Sequence, residues 1–155
     1  MTNSTTVERI SDYEVIVTRV VNAPVGKVWQ AWTTPKLFRQ WWVPKGAPIT
    51  LKSCEMDVRV GGGYKLVFDY QGNEMPFFGR YTEVVLESRL VWTNDEAGDA
   101  GQISTVTFED LGGSTRVVLS ERFASKQALE DAMASGSMEG AKAQFEQLEE
   151  FVASP

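Results

Sequence analysis

The chain of 155 residues contains no histidine. His-based triads, His general bases and His-ligated metal sites therefore drop out together. What remains with chemical potential is an arginine, scattered carboxylates, several tyrosines and one thiol. Arg19 alternates with Val15, Val17 and Val21 in the β-branched run YEVIVTRVV at 13–21, so its guanidinium is expected to face the interior. A buried arginine demands a partner, with Glu83 the first candidate and Glu121 the second. Such a pair either closes the narrow end of a core or anchors a carboxylate or phenolate ligand. Buried charges are normally paired, so the structural ion pair is the leading reading.

Tyr64, Tyr70 and Tyr81 have the chemistry of acids or hydrogen-bond donors in a cyclase-like reaction, but nothing in their spacing selects one. Cys54 sits mid-strand with Lys52 as its only positive neighbour, which suits an inert thiol. Gly61-Gly62-Gly63 is followed by neither Lys-Ser/Thr nor a helix, so it reads as a tight turn or bulge rather than a phosphate loop. Asp95, Glu96 and Asp99 form an acidic turn without the EF-hand pattern. No residue is assigned a catalytic role, and neither a metal nor a cofactor is expected.

The totals narrow the classes further. Hydrophobic residues at 43% and charged residues at 23% suit one globular domain with a real core. A net charge of −6 without any Lys/Arg run argues against nucleic acid and anionic membranes as partners. A single cysteine forms no intrachain disulfide and fits a reducing compartment. The start MTNSTTVERISDYE has no apolar signal region, and no apolar run approaches the ~20 residues that span a bilayer. Cytoplasm is the expected location.

The elements that position these residues follow from period and punctuation. Residues 1–11 are polar and aperiodic and are expected to be a flexible tail, with one domain over 12–153. After the first strand, Asn22-Ala23-Pro24 starts a short helix carrying Val25, Val28, Trp29 and Trp32. Thr34-Pro35 starts a second, with Leu37, Phe38 and Trp41. Strands are expected at 49–57, 63–70, 77–84, 90–94, 103–111 and 115–123, separated by Gly- and Asn-rich turns. Ser125 caps a helix over 126–134, and Ser137 caps a final helix to Val152. Met138, Ala141, Phe145, Leu148 and Val152 form its apolar stripe; Glu139, Lys142, Glu146, Glu149 and Glu150 are expected to face water. The order implies an α+β helix-grip fold. A curved antiparallel sheet of about six or seven strands wraps the long C-terminal helix, with two short helices after the first strand.

Alternation puts Tyr64, Leu66 and Phe68 on the inner face of one strand. Gly79 and Tyr81, Leu90 and Trp92, Val106 and Phe108, then Val117 and Leu119 follow on the next. Rings of this size tile a concave surface incompletely, leaving apolar gaps of the kind that hold ligands. Expected contacts are Trp32 and Trp42 from the short helices and Tyr64, Leu66, Phe68, Tyr81, Trp92 and Phe108 from the sheet. Met138, Ala141 and Phe145 are expected to join them from the final helix.

Several of these residues recur in a known order. Arg19 with Ala23-Pro24, Val28-Trp29 with Trp32-Thr33 and Pro35, and Trp41-Trp42 with Pro44 make up the first half. Gly61-Gly62 before a Tyr-led strand, Gly79 with Tyr81 and Glu83-Val84, Arg89-Leu90-Val91, and Gly140 with Phe145 and Leu148 complete it. The set resembles the single-domain relatives of the activator of the heat-shock chaperone ATPase, within the START-like (SRPBCC, birch-pollen-allergen-like) superfamily, over about 13–152. The resemblance implies a hydrophobic cavity but no single activity. Many relatives carry Gly-Trp in the final helix where this chain has Gly140-Ala141, which would deepen the space below or let Phe145 collapse into it. The eukaryotic activator has an additional N-terminal domain for its chaperone, so chaperone activation is not expected here.

Three roles follow as expectations. The first is non-catalytic or weakly catalytic binding of a small hydrophobic or amphipathic molecule in a cavity between the sheet and the C-terminal helix. The second is a cyclase- or dehydratase-like enzyme acting on an aromatic or polyketide-like substrate. The third is an interaction module, either a chaperone cofactor or a homodimer joined through the Trp-rich helices.

Overall fold

In the strand Glu14–Val21 (β2), Val15, Val17, Arg19 and Val21 are all buried and the residues between them are partly open, as a period of two dictates. The computed structural model describes residues 4–95 and 101–153. The expected turn at Glu96 to Asp99 lies outside the described residues. After β2 come two short helices, α1 (Val25–Thr33) and α2 (Pro35–Phe38). The antiparallel run continues with β3 (Thr50–Met56), β4 (Gly63–Tyr70), β5 (Asn73–Val85), β6 (Arg89–Asn94), β7 (Gln102–Asp110) and β8 (Thr115–Arg122). Helices α3 (Lys126–Ala134) and α4 (Ser137–Val152) finish the fold. This is the α+β helix-grip architecture implied by the element order.

Among the described residues the sheet has eight strands rather than six or seven. The added one is β1 (Thr6–Arg9), which pairs antiparallel with β2 from Thr6↔Thr18 to Arg9↔Val15. It places Thr6–Arg9, expected as part of a flexible tail at 1–11, in the sheet. The strand is held by backbone pairing along an open edge and buries little, so its side chains carry no hydrophobic period. The full order is β1-β2-β8-β7-β6-β5-β4-β3.

Ser125 caps α3, its hydroxyl accepting from the Ala128 N–H at 3.0 Å. At α4 the cap position belongs to Gly136, in the left-handed region at φ 85°, rather than to Ser137. The α4 stripe is buried as expected, with Phe145 and Leu148 fully enclosed. Each contributes about 1.5–3 kcal/mol by that burial. The helix lies against β2 and α1, at one side of the sheet. Two irregularities bend the other side: a register shift between Leu51 and Ser53 in β3, and another between Tyr81 and Glu83 in β5.

Candidate functional site

The far half of the sheet is not covered by α4. Between its concave face and the α1–α2 segment lies a cavity of about 410 Å3. Its sheet wall includes Tyr64, Leu66 and Phe68 of β4, Tyr81 of β5, and Leu90 and Trp92 of β6. Trp32, Phe38 and Trp42 form the opposite wall. Trp32, Trp42, Tyr64, Leu66, Phe68, Tyr81 and Trp92 all line this space, which lies under the short helices and not, as the sequence led us to expect, under the C-terminal helix.

Phe108, Met138, Ala141 and Phe145 do not line this space. Phe108 meets Trp29 edge-on at 5.4 Å, and Phe145 meets Trp32 edge-on at 6.1 Å. Met138 and Ala141 are buried in the core and line no part of this cavity. The reason is bulk: the Trp-rich helices stand between α4 and the β3–β6 half of the sheet. The stripe of α4 is consumed by β2 and α1, and among the lining residues the helix supplies Gln144 alone. The alternation pattern missed Ile49, Met56, Met75 and Phe77, which complete the wall. Ile49 precedes β3, Met75 belongs to an extension of β5 before its expected start, and Phe77 is the residue at that start.

Trp32 is the hub of the roof. Trp41 packs against it at 4.8 Å and Trp42 at 6.0 Å, both edge-on, while Phe38 stacks on Trp42 at 4.6 Å. Edge-on rings leave wedge-shaped space that parallel stacks would close. Two glutamines of α4 fix this segment in place. Gln147 Nε2 donates to the carbonyls of Trp41 and Val43 at 2.9 and 2.8 Å, and its Oε1 accepts from the Lys45 N–H at 2.6 Å. Gln144 Nε2 donates to the Trp42 carbonyl at 2.8 Å.

Among the described residues the polar groups that line the cavity are neutral. The Tyr64 hydroxyl donates to the Thr93 carbonyl at 2.7 Å. Asn94 Nδ2 donates to the Gln102 carbonyl at 3.2 Å and to Ser104 Oγ at 3.0 Å. Behind them, Ser104 Oγ and Gln102 Nε2 both donate to the carboxylate of Glu121, which is buried away from the cavity wall. Burial pushes the Tyr81 phenol far above its ordinary range, and the nearby Cys54 and Asp57 add to the shift. The Cys54 thiol is also pushed up by burial, with Arg39 opposing. Among the described residues no cluster of metal-ligating side chains forms.

Arg19 is buried but does not meet Glu83. Its Nη2 and Nε lie 2.6 and 3.0 Å from Glu149 Oε1, and its Nη1 donates to Thr5 Oγ1 at 2.9 Å. Glu149 Oε2 also accepts from the Asn22 N–H at 2.8 Å. Glu149, expected to face water, is therefore the partner, and the pair is a clasp between β2 and α4 outside the cavity wall. Glu83 instead lies 3.1 Å from Arg89 at the surface. The shift in register after Tyr81 ends the simple alternation that carried Glu83 inward.

No curated protein gives a significant match to the sequence. Solved structures do. A protein from Nitrosomonas europaea is 27% identical, with a TM-score of 0.84 over 94% of this chain and 97% of its own. One from Chromobacterium violaceum is 26% identical, with a TM-score of 0.76 over 94% and 100%. One from Rhodobacter sphaeroides shares the fold at a TM-score of 0.87 over 97% and 98%, with 18% identity. Residues 22–153 match the family described as Activator of Hsp90 ATPase homolog 1-like protein. That span takes in every element from α1 to α4, and with it the whole cavity wall, so the chain belongs to this family.

Proposed function

We propose that the protein binds a small hydrophobic or amphipathic molecule in the cavity beneath Trp32 and Trp42. The observation that carries this reading is an apolar space of about 410 Å3 beside an otherwise close-packed core. That volume falls in the lower part of the ~300–1,000 Å3 range of small-molecule sites, so it suits a compact ring system better than a long lipid. Titration with 2-ethylnaphthalene, followed by quenching of tryptophan fluorescence, tests it. Saturable one-to-one binding is expected, and Met75→Trp, which fills the cavity from its wall, abolishes it. Non-saturable quenching in the parent protein removes the proposal.

The enzymatic reading receives less support. The lining side chains named above carry no charge, and a phenol held far above its usual range is a poor proton donor at neutral pH. The interaction-module reading needs exposed indoles, whereas Trp29, Trp32 and Trp41 are buried. Among the described residues no helix is long and apolar enough to cross a membrane. Cytoplasm remains the proposed location.

A further inference from the structure

The cavity's polar inventory is specific enough to narrow the ligand's chemistry. Among the described residues fifteen line it, Asn94 and Gln144 among them, and none of these is ionic. The cation that the sequence offers as a ligand anchor, Arg19, is taken up by Glu149 and Thr5 elsewhere. Asn94 donates from its amide nitrogen to the Gln102 carbonyl and Ser104, and Gln144 donates from its own to the Trp42 carbonyl. Tyr64 is spoken for by Thr93.

Two donors differ from these. Trp32 is 2% exposed, and its Nε1–H is buried without a hydrogen-bond partner among the described residues. Tyr81 is 4% exposed and lines the same space. Its hydroxyl makes no hydrogen bond to a described side chain or carbonyl. A donor left unmet in an apolar site favours an acceptor on a ligand: the Tyr81 hydroxyl from the cavity wall itself, and the Trp32 N–H, which its neighbours cover, once a ligand parts them. An indole N–H donates only, and a buried phenol that resists ionisation stays a donor. A carboxylate entering the same space would lose its hydration with no cation to meet it.

We propose that the cavity selects a neutral ring-based ligand bearing a carbonyl-type acceptor, received by the Trp32 N–H or the Tyr81 hydroxyl, and that it discriminates against carboxylates. This rests on the proposed binding role and adds to it the class of ligand. It also sets aside the second sequence-based reading of Arg19, as the anchor of an acid, in favour of the leading one, a structural ion pair.

Three probes on one skeleton test it: 2-ethylnaphthalene, methyl 2-naphthyl ketone and 2-naphthoate, titrated at neutral pH against the full chain. The ketone is expected to bind about 3- to 10-fold more tightly than the hydrocarbon, the return from one neutral hydrogen bond. The naphthoate is expected to bind about 100-fold more weakly than the ketone. Tyr81→Phe and Trp32→Phe are each measured with the ketone and the hydrocarbon, so that the ratio within a variant cancels any general loosening of the fold. At least one of them is expected to bring that ratio close to one. Equal binding of ketone and hydrocarbon by the parent protein, or tightest binding of the naphthoate, overturns the ligand class while leaving the binding role intact. A ketone preference that survives both substitutions overturns the assignment of the donors. Absence of saturable binding by all three probes overturns the binding role and this inference with it.

Discussion

Arg19 shows how one side chain can be read correctly as half of a buried ion pair and yet be given the wrong partner. Its burial is written in the alternation of 13–21, but its partner lies 130 residues away on the polar flank of α4. Helical period alone turns Glu149 toward water; only docking of α4 on β2 brings it in. Arg19→Met leaves the carboxylate facing a mostly closed site, where its side chain is 13% exposed. A loss of about 2–4 kcal/mol in urea unfolding is expected, most of it recovered in the double variant Arg19→Met/Glu149→Leu. Additive losses in the double variant contradict the pairing. Tyr81 gives a second residue-scale test. Its folded-state pKa is raised, so the stability it contributes is complete below the ordinary tyrosine value of about 10 and falls as pH rises beyond it. The expected slope is up to about 1.4 kcal/mol per pH unit. Tyr81→Phe is expected to flatten that slope in urea melts from about pH 9 to 11.5, and an unchanged slope contradicts the burial.

Among the elements, the strands and helices were largely legible because each carries its own period and its own stop signals. β4 and α3 begin and end at the residues expected, and α4 starts one residue early with Gly136 as its cap, since Gly63, Ser125 and the 135–137 break punctuate them. β1 was not legible, because an edge strand made of backbone pairing leaves no mark in hydrophobicity. The β5 bulge was not legible either, and it decides which side Glu83 faces. Close approach of β5 to β6 has a cost at Gly79, where a Cβ would stand 2.0 Å from the Thr93 carbonyl oxygen. Gly79→Ala is expected to destabilise by about 1–3 kcal/mol or more and to disturb the Tyr64–Thr93 hydrogen bond. A neutral effect in thermal melts contradicts the close approach. Gln147→Ala removes donors from two carbonyls of the 41–43 segment. A loss of about 1–3 kcal/mol is expected, together with weaker ligand binding as the Trp41–Trp42 wall loosens. Unchanged affinity contradicts its positioning role.

For the whole molecule, the sequence shows that rings line a concave sheet but not where the empty space falls. Ring identity follows from alternation; location depends on which bulky group wins the centre. The Trp32 cluster occupies it, divides the sheet, and leaves α4 a filled interface on one side and open space on the other. The account therefore stands on position as much as on volume. The most direct measurement is intermolecular NOE contact between methyl 2-naphthyl ketone and a methyl-labelled protein. Contacts to the methyls of Leu66, Met75 and Leu90, and none to those of Met138 and Leu148 under the helix, are the expected result. Contacts confined to Met138 and Leu148, or to surface methyls alone, would contradict it.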